Sequence, residues 1–388
     1  MRILFVTPFY PPDKGGIADH VHELVRIISK RHEVSVVTNV PSTSLQDLQE
    51  DYVIRIPSIT PPSIIESLSS FRIPLMIKPL IKRIDDFQPN IIHAHGHHYP
   101  ITWLAASIAK IKRIPFVMTL HGMYALYADK SFMEEVFNHT IFKWLILNSN
   151  AIIALTPTMV SYVRKYGPVS RIFVIPNGID LKVYLNNRSK KFEYRKKYGL
   201  NMDKIIVLYR GRFVGVKGFS EFVDSIAMLN CETEIRNRVL FLLIGAGPLK
   251  DYAVQKISNY DNVVIFDWIP EEKKHELYIA SDILVLPSKW YEAFSIVALE
   301  GMAAGLYLIV SQRGSLPDVT KGYARKAYLN SISPRDIANC LRKVILNWSE
   351  LSSIEVNYEY LMQYDWTNVV ENLLVVYEQI LHSERIRN

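Results

Sequence analysis

Short runs of apolar, β-branched residues alternate with longer amphipathic stretches along the whole chain, and this alternation restricts the folds open to it more than any other feature. In the first half the runs are Ile3–Val6, Val34–Thr38, Val53–Ile56, Ile91–His95, Pro115–Thr119, Ala151–Leu155 and Ile172–Ile175. Nearly every position in them is apolar, which fits parallel strands buried on both faces. Between them, Ala18–Lys30 places Val21, Leu24, Val25 and Ile28 at helical spacing. The second half repeats the scheme with Ile205–Tyr209, Val239–Ile244, Val263–Phe266, Ile283–Leu286 and Leu308–Val310, and with helices over Phe219–Leu229 and Ile296–Ala304. Such a pattern predicts a doubly wound α/β architecture, twice over. The polar, basic stretch 176–192 marks the seam, giving domains over 1–180 and 181–365 with a helical tail over 366–388. Ligands of such sheets bind outside the carboxyl ends of the strands. Two sheets presented edge to edge would make that zone an interdomain cleft.

Composition removes several function classes. Of 388 residues, 49% are hydrophobic and 21% charged, which excludes wholesale disorder. Cys231 and Cys340 are too few for a disulfide framework or a zinc ribbon and point to a reducing, cytoplasmic setting. The opening MRILFVTPFYPP has an apolar run too short for a signal-peptide core, and even 141–156 is too broken to span a membrane. Net charge is +7, spread as 18 Lys+Arg against 14 Asp+Glu up to residue 180 and 27 against 24 beyond it. A diffuse basic excess suits anionic small molecules or an anionic membrane surface. No stacking-aromatic signature accompanies it, and nucleic acid is not an expected partner.

The loops after the strands hold the informative residues. Gly15 and Gly16 follow the first strand and precede a helix, where backbone N–H groups can approach an anion. In the second half, YRGRFVGVKG (209–218) sets Arg212 and Lys217 among glycines beyond a strand, a composition suited to a diphosphate, with solvated surface charge as the alternative. LLIGAGPLK (242–250) only partly matches a dinucleotide fingerprint, since Lys250 stands where the third glycine would fall. In LPSKWYEAFSIVALEGMAAG (286–305), Glu292 and Glu300 on one helix would lie about 80° apart and roughly 12 Å along the axis. A better geometry puts Glu292 in the loop and Ser295 at the N-cap of a helix stopped by Gly305. Two carboxylates and a helix N-terminus could then read sugar hydroxyls and phosphate together. The run HAHGHH (93–98) could be taken as a metal site, but no Cys or carboxylate follows at ligand spacing, and the histidines are expected to line the cleft. No Asp-x-Asp occurs either, so no metal or other cofactor is expected.

Taken in order, Gly15–Gly16, TLHG (119–122), PNGID (176–180), GR…KG (211–218), IGAGP (244–248) and Glu292…Glu300 make the chain resemble the retaining family-4 glycosyltransferases of GT-B fold over nearly its whole length. That resemblance implies a nucleoside diphosphate sugar, of UDP or GDP type, as donor and a glycan or lipid-linked acceptor. Arg212 and Lys217 would hold the diphosphate with amides near Gly16 and at Ser295 and Ile296. Glu300 would take the ribose hydroxyls, Glu292 the transferred sugar, backbone near Ile269 the base, and Gly245 would belong to the donor loop. His121 would sit beside the anomeric centre, and 364–380 would correspond to the family's C-terminal helix, which crosses back to the first domain. Departures are Ala293 and Ser295, where the family usually has glycines, GLYLIV (305–310) and Asp318. A sugar-nucleotide 2-epimerase of the same build and an inactive nucleotide-sugar binder are the alternatives.

Residues 61–84 combine Phe71, Ile73, Leu75, Met76, Ile77, Leu80 and Ile81 with Arg72, Lys78, Lys82 and Arg83, and carry no acidic residue from Ser67 to Ile84. Pro74 and Pro79 argue against one continuous helix. The segment reads either as a core-packed connection or as a surface that dips into an anionic membrane.

Overall fold

The computed structural model describes residues 1–41, 50–60, 71–123, 132–168 and 171–387. The chain divides into two compact units, one comprising Met1–Gly178 with Trp366–Asn388, the other Ile179–Asp365.

Unit 1 is built on β1 (Arg2–Thr7), β2 (Glu33–Pro41), β3 (Val53–Ile59), β4 (Ile73–Pro74), β5 (Ile91–His95), β6 (Phe116–Thr119), β7 (Ala151–Ala154) and β8 (Ile172–Val174), in the spatial order β4-β3-β2-β1-β5-β6-β7-β8. All neighbours pair in parallel except the two-residue β4, which runs antiparallel at the edge. Strand order reverses direction between β1 and β5, so the loops after these two strands flank the switch point where doubly wound sheets bind ligands. The helix Gly16–Ile28 buries Val21, Leu24, Val25 and Ile28 as its spacing predicts. The long helix Trp366–Arg387 closes the same core, burying Val369, Val370, Leu373, Tyr377 and Ile380 beside Ile3, Phe5 and Val21. Its first residue stacks over the backbone turn at Gly178, where a methyl group would lie 2.2 Å from the Trp366 ring.

Unit 2 carries β9 (Ile205–Arg210), β10 (Val239–Ile244), β11 (Val263–Phe266), β12 (Ile283–Leu286), β13 (Tyr307–Val310) and β14 (Lys326–Tyr328), all parallel, in the order β11-β10-β9-β12-β13-β14. Alternate residues serve two separate cores. Ile206, Leu208, Leu240, Leu242 and Leu284 point to one, while Ile205, Val207, Phe241, Leu243 and Ile283 point to the other. This is why these strands read as unbroken apolar runs rather than as an alternation. The switch point here lies between β9 and β12.

The basic, apolar segment is described from residue 71 onward; 61–70 lie outside the described residues. Pro79 does not interrupt a helix but sits in the first turn of one, Lys78–Phe87, where a missing N–H costs nothing. Leu80 and Ile84 face the core, whereas Ile73, Leu75, Met76 and Ile77 are exposed. Two of the four cations are engaged within the fold. Arg72 forms a bidentate pair with Asp13 at 2.7 Å, and Arg83 donates to Ser35 Oγ at 2.7 Å, leaving Lys78 and Lys82 facing water. No helix among the described residues is long and apolar enough to cross a membrane.

Candidate functional site

In unit 1 the expected residues gather at the switch point. Gly15, with φ of 132°, is the N-cap of the helix Gly16–Ile28, and both glycines are exposed there beside the free amides of the first turn. One turn in, His20 lies on the buried face of the helix, a turn before Leu24. His95 is the last residue of β5 and pairs in register with Thr119 of β6; His121 follows two residues later. Nδ1 of His95 lies 3.0 Å from Nε2 of His121, and the His20 ring stands edge-on to His121 at 5.0 Å between centroids.

The HAHGHH run does not behave as one group and does not line an open surface; His93, His95 and His97 are buried completely. Strand alternation sends His93 into the core, where Tyr377 Oη at 2.6 Å and Thr119 Oγ1 at 2.7 Å occupy both ring nitrogens. His97 stacks on Phe142 at 4.3 Å and meets Tyr162 Oη at 3.4 Å. Among them only His95 turns toward His20 and His121, and among the described residues these three are the group that could hold a metal ion. Burial lowers His20 to about 4, partly offset by the neighbouring Asn177, and His93 and His97 to about 3; it also takes His95, His98 and His121 well below the usual imidazole range. All six imidazoles are therefore neutral at pH 7.

Unit 2 presents a second group beyond β9 and β12. The loop after β9 exposes Arg212, for which the described residues provide no acidic partner, and Lys217 Nζ donates to Glu292 Oε1 at 2.8 Å. Glu292 lies in the loop after β12, held by Ser315 N–H donating to its carbonyl oxygen at 2.8 Å. Ser295 caps the helix Ile296–Ala303 by accepting from Ala298 N–H at 3.3 Å, so the amides at Ile296 and Val297 begin the helix as its spacing predicts. Gly305, with φ of 79°, follows the helix end. Gly245 serves the loop from behind: a methyl group there would lie 1.9 Å from the Gly211 carbonyl oxygen, so its absence lets the two loops pack backbone to backbone. Ile269 is half-buried against the core, next to the exposed Trp268.

Glu300 is where the sequence shows least. It is 1% exposed and already holds three partners, Lys274 Nζ at 2.6 Å, Tyr278 Oη at 2.6 Å and Arg210 Nη1 at 3.2 Å. Burial works to lower the Lys274 ammonium pKa, but Glu300 and Glu271 outweigh it and the pKa rises. Arg210 also lies 5.5 Å from the Trp268 ring centroid. Sequence reading missed all of these partners. Lys274 and Tyr278 do stand four apart on one helix face, a spacing that a search for pairs would have found.

A cavity of about 400 Å³ opens in unit 1 near Met1, Asn90, Pro115 and Glu384, but it lies at the amino ends of β1, β5 and β6. That is the wrong edge of the sheet for a ligand of this architecture.

Comparison with known proteins bears on what these groups do. The Glycosyltransferase Family 4 description matches residues 14–183, and the Glycosyl transferases group 1 description matches residues 190–359. An uncharacterized glycosyltransferase of Methanocaldococcus jannaschii is 26% identical, over 97% of this chain and 98% of its own length. An alpha-monoglucosyldiacylglycerol synthase of Acholeplasma laidlawii is 25% identical over 80% of each. Among solved structures, Anabaena HepE in complex with UDP superposes with a TM-score of 0.76 at 16% identity, over 98% of this chain and 100% of that one. With one family description on each Rossmann-like unit, the chain belongs to the group 1 glycosyltransferases of GT-B fold, which take their sugar from a nucleotide-sugar donor.

Proposed function

We propose that this chain transfers a sugar from a UDP- or GDP-type donor to a lipid-linked or lipid-like acceptor, with retention of anomeric configuration and without a metal ion. The observation that carries the reading is the group beyond β9 and β12, where exposed Arg212, the Lys217–Glu292 pair and the Ser295-capped helix N-terminus supply cations, amides and a carboxylate together. Two cations and helix-end amides suit a diphosphate leaving group without a bridging ion. Glu292 would orient the transferred sugar, and Glu300 would reach the ribose once Lys274 shares its Oε1. Trp268 and the backbone at Ile269 would meet the base.

The acceptor hydroxyl oxygen would bond to the anomeric carbon on the face from which the diphosphate departs. As the bond from that carbon to the phosphate oxygen breaks, the leaving oxygen takes the acceptor's proton. The chain's contribution is then positioning and charge stabilisation. A neutral His121 would act as a hydrogen-bonding group at the sugar rather than as a cation or nucleophile. Exposed Ile73, Leu75, Met76 and Ile77 beside Lys78 and Lys82 favour an acceptor at an anionic membrane surface, with the protein peripheral on its cytoplasmic side. The lipid product in the name of the Acholeplasma relative agrees with this.

The test is to incubate EDTA-treated protein with UDP- and GDP-sugars, with and without diacylglycerol or polyprenyl phosphate in vesicles. Nucleoside diphosphate should appear only with acceptor present, and the product should keep the donor's anomeric configuration by NMR. Inversion, or activity abolished by EDTA and restored by Mg²⁺, refutes the mechanism. Release without acceptor together with an epimerised sugar would identify an epimerase instead.

A further inference from the structure

We propose that His20, His95 and His121 form a transition-metal site of the zinc class, built into unit 1 from three separate segments. Each imidazole offers one nitrogen, and the three nitrogens lie within 4.8 Å of one another. His95 Nδ1 and His121 Nε2 are 3.0 Å apart, while two nitrogens on a tetrahedral zinc at 2.0–2.1 Å are separated by about 3.3 Å. That pair is already at nearly the right separation and would need its rings tilted toward the ion, while the third nitrogen closes by at most about 1.5 Å. One further nitrogen of the cluster, His20 Nδ1, is buried without a hydrogen-bond partner. Leaving buried polar atoms unpaired is unfavourable, and groups of this kind call for an explanation. An ion supplies one. It replaces the single His95–His121 hydrogen bond with metal–nitrogen bonds and fixes which ring nitrogens carry protons.

The donor set selects the metal. Among the described residues the cluster contains neither carboxylate nor thiolate, so a hard oxygen-seeking cation such as Mg²⁺ has nothing to prefer there, whereas neutral imidazoles suit Zn²⁺, Co²⁺ and Ni²⁺. Three protein ligands leave a fourth position open, as in zinc sites that retain a water. The ligands stand on firm elements: one on the helix Gly16–Ile28, one at the end of β5 and one just past β6. A bound ion would also engage His121, so a metal-independent transferase would be inhibited by zinc. That consequence rests on the role proposed above for His121, but occupancy of the site does not.

The experiment is a titration of the full chain, free of any added histidine tag and treated with EDTA, with Co²⁺ and no donor or acceptor present. The site requires the visible absorption of tetrahedral cobalt, saturating at one ion per chain, displaced by Zn²⁺ and unaffected by Mg²⁺. His20→Gln and His95→Gln should each weaken Co²⁺ binding at least roughly tenfold, because even partners of ligands are worth 10–100-fold. His139→Gln, an exposed histidine outside the cluster, should bind like wild type. If His95→Gln fails to fold by circular dichroism, His20→Gln decides. Absence of the cobalt band, or wild-type affinity in His20→Gln, overturns the proposal. Because the readout is optical and needs no turnover, its failure is distinct from failure of the glycosyl-transfer reading.

Discussion

Acid should unfold unit 1 well before its carboxylates are neutralised, because its buried histidines refuse protons that the unfolded chain accepts. A histidine in an unfolded chain titrates near 6.5. Burial lowers His20 to about 4 and His93 and His97 to about 3. Between those values and 6.5 the unfolded state binds more protons, so stability rises with pH there and is lost as pH falls below 6.5. At pH 5 each of the three costs about 2 kcal/mol relative to pH 8, about 6 kcal/mol together, and His95, His98 and His121 act in the same direction. A whole domain has only about 5–15 kcal/mol to lose. Hydrogen exchange of peptides spanning 91–119, corrected for the intrinsic rate at each pH, reads unit 1 apart from unit 2. The opening free energy of β5 and β6 should fall steeply between pH 7 and pH 5. His97→Gln isolates one contribution: it loses stacking on Phe142 and so is weaker at pH 8, but its further loss at pH 5 should be about 2 kcal/mol smaller than that of wild type. Carboxylates contribute equally to both proteins and cancel. An identical loss in variant and wild type, or no loss at all, would refute the argument.

Arg212→Ala and Lys217→Ala should each lower kcat/KM by roughly 10²–10³, typical for removal of one charge-stabilising group, and a wild-type rate from either removes it from the diphosphate site. Gly218 has φ of 67°, and a methyl group there would lie 1.9 Å from the Pro287 carbonyl oxygen, so Gly218→Ala should destabilise unit 2 by about 2–5 kcal/mol in calorimetry. An unchanged melting temperature would mean the loop relaxes at no cost. In flotation assays the protein should rise with phosphatidylglycerol vesicles at low salt and less so at high salt. Lys78→Glu with Lys82→Glu should abolish this, and indifference to vesicle charge would favour a soluble acceptor.

Most strands that sequence reading finds are buried on both faces, where no polar residue breaks the run. β8 and β11 are found although no residue of either is fully buried, because their sequences are apolar throughout. Sequence reading misses β4 and β14 for the converse reason. Ile73–Pro74 is a two-residue edge containing a proline, and Lys326–Tyr328 is half-buried and carries a charge. The loop position of Glu292 and the Ser295 cap were legible because a cap and its helix are neighbours in the chain. Contacts assembled from distant segments were not. Nothing along HAHGHH shows that His95 alone faces His20 and His121, because that depends on how a helix packs against the ends of two strands. Likewise the partners of Glu300 come from β9 and from the helix Lys274–Ala280, and only the fold brings them to one carboxylate.

The chain leaves unit 1 at Gly178 and returns at Trp366, with Ile179 and Asp365 bridged side by side and Ile179 N–H donating to Tyr364 carbonyl oxygen at 2.8 Å. Unit 2 is thus a cassette whose two ends meet, inserted in a loop of unit 1. On the ribosome this reverses the usual order of domain completion, in which the N-terminal domain finishes first. The strands of unit 1 are made early, but the helix that seals them follows the whole of unit 2. Val369, Val370, Leu373 and Tyr377 are absent from the nascent core until then. During synthesis β1 and β5 therefore wait half-covered, a window in which chaperones would engage the first unit while the second is already folded. Release at Asp365 would yield a finished unit 2 attached to an unfinished unit 1.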